Sequence, residues 1–128
     1  MTDPNARKTL ALIAHDGKKQ TMLEFAREHQ AVLARYDLIA TNTTGRVLRD
    51  ELGLAITLML SGPMGGDAQI AAQVAEGKIE AVFFFIDPLA AQPHDPDING
   101  LLRICNVHNV PLATNAASAS YMISGRAL

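Results

Sequence analysis

Five short apolar runs punctuate this chain, at Leu10–Ala14, Tyr36–Ala40, Ala55–Leu60, Ala81–Ile86 and Pro111–Ala113, with polar or amphipathic segments between them. A strand solvated on one face alternates apolar and polar residues. Four of these runs do not alternate, so they read as strands covered on both faces, the pattern of a parallel sheet. Between the first two, Met22, Phe25, Ala26, Val32 and Leu33 share one helical face, while Glu24, Arg27, Glu28 and Gln30 lie elsewhere. That is the pattern of a crossover helix. Further helical patterns follow at 44–52, 67–76 (closed by Gly77), 96–108 and 116–123. The order βαβαβαβαβα predicts a single-domain α/β fold: an open, mainly parallel five-stranded sheet with helices on both faces. Residues 1–8 are expected to form an N-terminal stub and residues 9–128 the domain.

A chain of 128 residues is long enough for one sizeable core. With 11 Lys and Arg against 13 Asp and Glu, it lacks the basic excess of a nucleic-acid binder. The single cysteine, Cys105, excludes an internal disulfide framework or a multi-cysteine zinc site and reads as buried filler. No apolar run is long enough to span a membrane, and the opening MTDPNARK has no signal-peptide core. The expected compartment is the cytoplasm.

In open α/β sheets, ligands collect at the carboxyl ends of the strands. The unusual polar clusters of this chain all fall there. His15 and Asp16 follow the first strand, Thr41, Asn42, Thr43 and Thr44 the second, Ser61 to Asp67 the third, Asp87 to Asp97 the fourth, and Thr114 and Asn115 the fifth. The run SGPMGGD (61–67) brings glycines, whose backbone can approach an anion closely, next to a potential base, Asp67. TNTTG (41–45) opens a predicted helix: one threonine is expected to cap it, leaving free N–H groups and hydroxyls for an anion. Lys19, beside the same rim, supplies a cation. His94 in the PHDPD loop (93–97) is suited to proton exchange with a substrate oxygen near neutral pH. Asp95 and Asp97 flank Pro96 and have the alternative role of capping the next helix. His29 and His108 fall within predicted helices, away from the rim. The acids and histidines of the rim also fit a metal site of a metal-dependent phosphatase, although no paired ligand motif is present.

Taken in order, AHDGKK (14–19), TNTTG, SGPMGGD, FFIDP (84–88), PHDPD and PLATN (111–115) resemble the methylglyoxal synthase family, over about residues 10 to 121. The resemblance implies a methylglyoxal-synthase-like domain of Rossmann/flavodoxin-like architecture. It implies a carbon–oxygen lyase that converts dihydroxyacetone phosphate to methylglyoxal and inorganic phosphate, in a bypass of lower glycolysis. The enzyme so implied is a cytoplasmic homohexamer that needs neither metal nor organic cofactor. By resemblance Asp67 is the catalytic base and His94 holds and protonates the enediolate oxygens. Likewise His15, Lys19, Thr41, Asn42, Thr43, Thr44, Ser61 and Gly62 bind substrate and phosphate, and Asp16, Asp87 and Asp97 are supporting carboxylates. The same fold also serves as an effector-binding regulatory module, which would need neither Asp67 nor His94. Two departures stand out. Ile86 replaces a larger or basic side chain before the DP pair, and longer members continue to a C-terminal arginine near a neighbouring subunit's phosphate site, for which Arg126 is the candidate here.

Overall fold

Parallel strands buried on both faces send alternate side chains into two cores, and the computed structural model, which describes residues 7–124, has that arrangement. The strands β1 (Thr9–Ala14), β2 (Asp37–Ala40), β3 (Ile56–Leu58), β4 (Ala81–Phe85) and β5 (Leu112–Ala113) form one sheet in the order β3-β2-β1-β4-β5. All four pairings are parallel. From β1, the residues Leu10, Leu12 and Ala14 enter one core with Leu38, Ala40, Phe83 and Phe85; Ala11 and Ile13 enter the other with Ile39, Val82 and Phe84. The uninterrupted apolar run TLALIA is the sequence form of this two-sided burial.

The first core is closed by α1 (Lys19–Glu28), α2 (Gln30–Leu33), α3 (Asn42–Leu52) and α6 (Ala116–Ser124), through Met22, Phe25, Leu33, Leu48, Ala119 and Ile123. The second is closed by α4 (Gly66–Ala75) and α5 (Asp95–Val107), through Ile70, Val74, Ile98, Leu101 and Cys105. The chain therefore winds outward from β1 to β3 under one set of helices, then returns past β1 to β4 under the other. The crevice between β1 and β4 is the switch point where such sheets bind ligands. Cys105 is buried, which pushes its thiol up to about 11.

The predicted elements are all present, with differences at their ends. The predicted third strand, 55–60, shrinks to Ile56–Leu58 because β3 is an edge with one neighbour, and Leu60 is half exposed. The crossover between β1 and β2 is two helices rather than one: it breaks at His29, the short α2 buries Leu33, and Gln30 Nε2 donates to the Leu52 carbonyl at 2.8 Å. Arg7 and Lys8, expected in the stub, are tied to the domain. The Arg7 guanidinium donates to the carbonyls of Ala34 and Tyr36, and the Lys8 carbonyl accepts from the Asp37 N–H. Arg126 lies outside the described residues.

Candidate active site

Four strand ends and the loops leaving them enclose a cavity of about 190 Å³. β1 delivers His15 and, through a 3-10 turn at Asp16–Lys18, Lys19 at the start of α1. β2 delivers Thr41 and the first turn of α3. Beyond β3, a 3-10 turn at Gly62–Met64 leads into α4, whose first turn carries Asp67. The loop after β4 brings in Gln92 and His94, and α5 begins at once. Glycine makes this convergence possible. A Cβ on Gly66 would collide with the Leu60 carbonyl and Thr41, and one on Gly62 would stand 2.5 Å from His94 Nε2.

The cavity floor is a buried acid facing an imidazole. Asp67 is fully buried, and its Oδ2 lies 3.0 Å from His94 Nε2. The ring N–H is not aimed along that line, so neither carboxylate oxygen has a hydrogen-bond partner among the described residues. Burial pushes the Asp67 carboxyl above the ordinary carboxylate range; His94 opposes that rise and the Asp97 charge adds to it. His94 Nδ1 is likewise buried, with no partner among the described residues.

His15 is held differently. Its Nδ1 accepts a hydrogen bond from the Asp87 backbone N–H at 2.9 Å, which leaves the proton of the neutral ring on Nε2. That Nε2 is buried and has no partner among the described residues. Burial lowers the His15 pKa, and His94 and Lys19 lower it further. His15 thus presents a neutral N–H donor, set nearly perpendicular to the His94 ring at 6.0 Å.

The rim opposite supplies positive charge and free amides. Lys19 Nζ donates to the Ala14 carbonyl at 2.6 Å and pairs with Asp16 at 3.1 Å, which leaves its third proton available. Thr41 occupies the N-cap of α3, yet its side chain makes no capping bond, contrary to the sequence expectation; its hydroxyl donates instead to Thr44 Oγ1 at 3.3 Å. The N–H groups of Thr43 and Thr44 are thereby left without acceptors among the described residues. Unpaired amides at a helix start, beside a lysine, form an anion site.

Of the residues singled out in the sequence, Asp67, His94, His15, Asp16, Lys19, Thr41, Thr43, Ser61 and Gly62 line this cavity. Four others do not. The Asn42 N–H approaches the Leu60 carbonyl at 3.4 Å, and Thr44 is buried behind the wall. Asp87 sits behind His15, its carboxylate accepting from the Leu89 N–H at 3.0 Å and packed where Gly17 leaves room. Asp97 lies in the first turn of α5, where its N–H donates to the His94 carbonyl; neither it nor Asp95 caps the helix, since His94 takes that position. Among the described residues no three of His, Cys, Asp and Glu come together as a metal-binding group. Gln92, which also lines the cavity, carried no sequence signal beyond its place two residues before His94.

An MGS-like domain model matches residues 21–114. The methylglyoxal synthase of Ralstonia nicotianae is 57% identical over 117 residues, covering 91% of this chain and 87% of that protein. The methylglyoxal synthase of Thermus thermophilus is also 57% identical over 117 residues, covering 91% and 93%. The crystal structure of methylglyoxal synthase from Elizabethkingia anophelis NUHP1 superposes with a TM-score of 0.87 at 42% identity, covering 92% of this chain and 78% of that one. Likeness of this extent spans about nine-tenths of this chain in both sequence and backbone, and on it the chain belongs to the methylglyoxal synthase family.

Proposed function

We propose that this cavity eliminates phosphate from dihydroxyacetone phosphate to give methylglyoxal, with Asp67 as base. The observation that carries the reading is the buried Asp67–His94 pair, 3.0 Å apart, in one cavity with Lys19 and the threonine loop of α3. Asp67 removes a proton from the hydroxymethyl carbon beside the carbonyl, and a carboxyl raised by burial is a stronger base than an exposed one. The charge that develops on the carbonyl oxygen is met by the neutral N–H of His15, a buried ring at the cavity wall. A carboxylate base with a neutral histidine electrophile is also how triosephosphate isomerase enolises the same substrate.

The two enzymes part at the enediolate. His94, within reach of Asp67, moves the proton between the two enediolate oxygens so that the negative charge comes to the terminal one. The terminal C–O then closes to an aldehyde, the enediolate double bond shifts toward the third carbon, and the bond from that carbon to the phosphate oxygen breaks. The shift requires that bond to stand perpendicular to the enediolate plane. Gripping the phosphate between Lys19 and the amides of Thr43 and Gly62 sets this torsion and stabilises the departing dianion. The enol product takes a proton at its methylene carbon and gives up the proton of its hydroxyl, becoming methylglyoxal.

Asp16 supports Lys19, Asp87 holds His15, and Asp97 adjusts Asp67. In this reading Ser61, Thr41 and Asn42 complete the phosphate end. The family resemblance further supports a cytoplasmic homohexamer acting on a bypass of lower glycolysis. Exposed Leu60, Met64 and Leu89 near the cavity mouth favour subunit contacts there. Sedimentation of the purified protein checks the assembly.

The deciding assay incubates EDTA-treated protein with dihydroxyacetone phosphate and measures methylglyoxal and phosphate together. Equal amounts of both are expected. Neither product would indicate a binding module, unless phosphate alone appears when a divalent metal is restored, which would indicate a metal-dependent phosphatase.

A further inference from the structure

The two halves of the phosphate end meet at one hydroxyl. β2 ends at Ala40, opposite Leu12, so Ala14 at the end of β1 has no strand on that side. Thr44 takes the place of the missing strand. The Ala14 N–H donates to Thr44 Oγ1 at 3.1 Å, and that hydroxyl donates to the Ala14 carbonyl at 3.3 Å. Thr41 Oγ1 donates to Thr44 Oγ1 as well, at 3.3 Å. A hydroxyl has one proton and two lone pairs, and all three are used here. The side chain is also buried, so nothing remains of it to offer a ligand. The Ala14 carbonyl that it holds is the one on which the Lys19 ammonium is anchored at 2.6 Å.

We infer that the Thr44 hydroxyl is a positioning group rather than a substrate ligand: by fixing the Ala14 carbonyl it sets where the Lys19 ammonium meets the phosphate. From behind the cavity wall, the side chain works through Lys19. This rests on the reading of Lys19 as a phosphate partner, and the test separates the two.

The test is a double-mutant cycle on the binding of inorganic phosphate by calorimetry, with KM and kcat measured in parallel. Lys19→Met is expected to weaken phosphate binding by roughly 10-fold or more, the usual loss for a hydrogen bond to a charged group. Thr44→Val should weaken it about 5- to 10-fold when Lys19 is present and by less than about 2-fold in the Lys19→Met background, because partners in one network are not additive. Thr44→Ser should restore binding to within about 2-fold of the parent, the hydroxyl being retained. Equal losses from Thr44→Val in both backgrounds would overturn the inference and make the hydroxyl an independent ligand. No loss from Lys19→Met would remove the reading beneath it. Should Thr44→Val not fold, the parent protein decides: the Ala14 amide is expected to keep its protection from hydrogen exchange when phosphate saturates the site. Loss of that protection would mean that the hydroxyl has turned to the anion.

Discussion

His94 Nε2 stands 3.0 Å from Asp67 Oδ2, at a carboxylate that is fully buried and has no hydrogen-bond donor among the described residues. Such a group is destabilising when ionised, and a fold retains one where a base is needed. Asp67→Asn should therefore keep the fold and lower turnover by roughly 10²- to 10⁴-fold, the range for losing a general base. It should also raise stability. Burial lifts the Asp67 carboxyl above its unfolded value, so the parent loses stability as pH rises through the ordinary carboxylate range and stays at that deficit above it. The amide variant escapes the loss. Urea unfolding should find it the more stable protein near neutral pH, with the gap closing on acidification; an unchanged gap would remove burial as the cause.

Asp97 acts on the same group at a distance. Its charge adds to the rise in the Asp67 carboxyl, after burial, so Asp97→Asn should shift the acid limb of kcat/KM toward lower pH. The sign follows from the base: with less repulsion Asp67 ionises sooner, and activity appears at lower pH. A limb moving the other way would place Asp97 in a different role, such as holding the His94 ring.

The fold was legible because burial on both sheet faces leaves its mark on every central strand, and TLALIA and AVFFF are the clearest cases. Edges were less legible: β3, with one neighbour, has half-exposed residues at Ile56 and Leu58, and nothing in an apolar run tells where the ladder stops. In the site, residue types were readable while partners were not. Thr41, Thr43 and Thr44 look alike in TNTTG, yet one lone pair or proton decides which hydroxyl is committed to backbone and which is free. The motif marks Asp87 as a carboxylate, and its charge does act on His15, but the hydrogen bond to the ring comes from its peptide N–H, a group every residue but proline carries and no motif reveals.

That peptide bond makes a spectroscopic prediction. With Nδ1 accepting from Asp87 N–H, His15 should be the Nε2–H tautomer, neutral at assay pH because burial, His94 and Lys19 all lower its pKa. Long-range ¹H–¹⁵N correlation spectra should show an unprotonated Nδ1 that stays so on acidification past the point where an exposed histidine titrates. An Nδ1–H signal would reverse the donor assignment. Replacing His15 with Gln, which keeps one N–H donor, should cost less turnover than replacing it with Ala.

Two neighbouring glycines separate positioning from stability. At Gly62 a methyl group would stand 2.5 Å from His94 Nε2 and 3.0 Å from Cε1, so Gly62→Ala must push the imidazole off Asp67. The turn itself needs no special backbone there, and the cavity offers room for the displaced ring. Turnover should fall about 10²-fold, the loss expected for a reacting group misplaced by an ångström, with the melting temperature close to the parent's. Gly65 is the converse. Its φ is +105°, in the left-handed region, and a methyl group there meets open space. Gly65→Ala should thus destabilise by about 1 kcal/mol or more through backbone strain while the folded fraction keeps near-normal turnover. Thermal unfolding and steady-state kinetics on the pair check both halves, and a Gly62→Ala enzyme of parental turnover would mean that the His94 imidazole is not required where it stands.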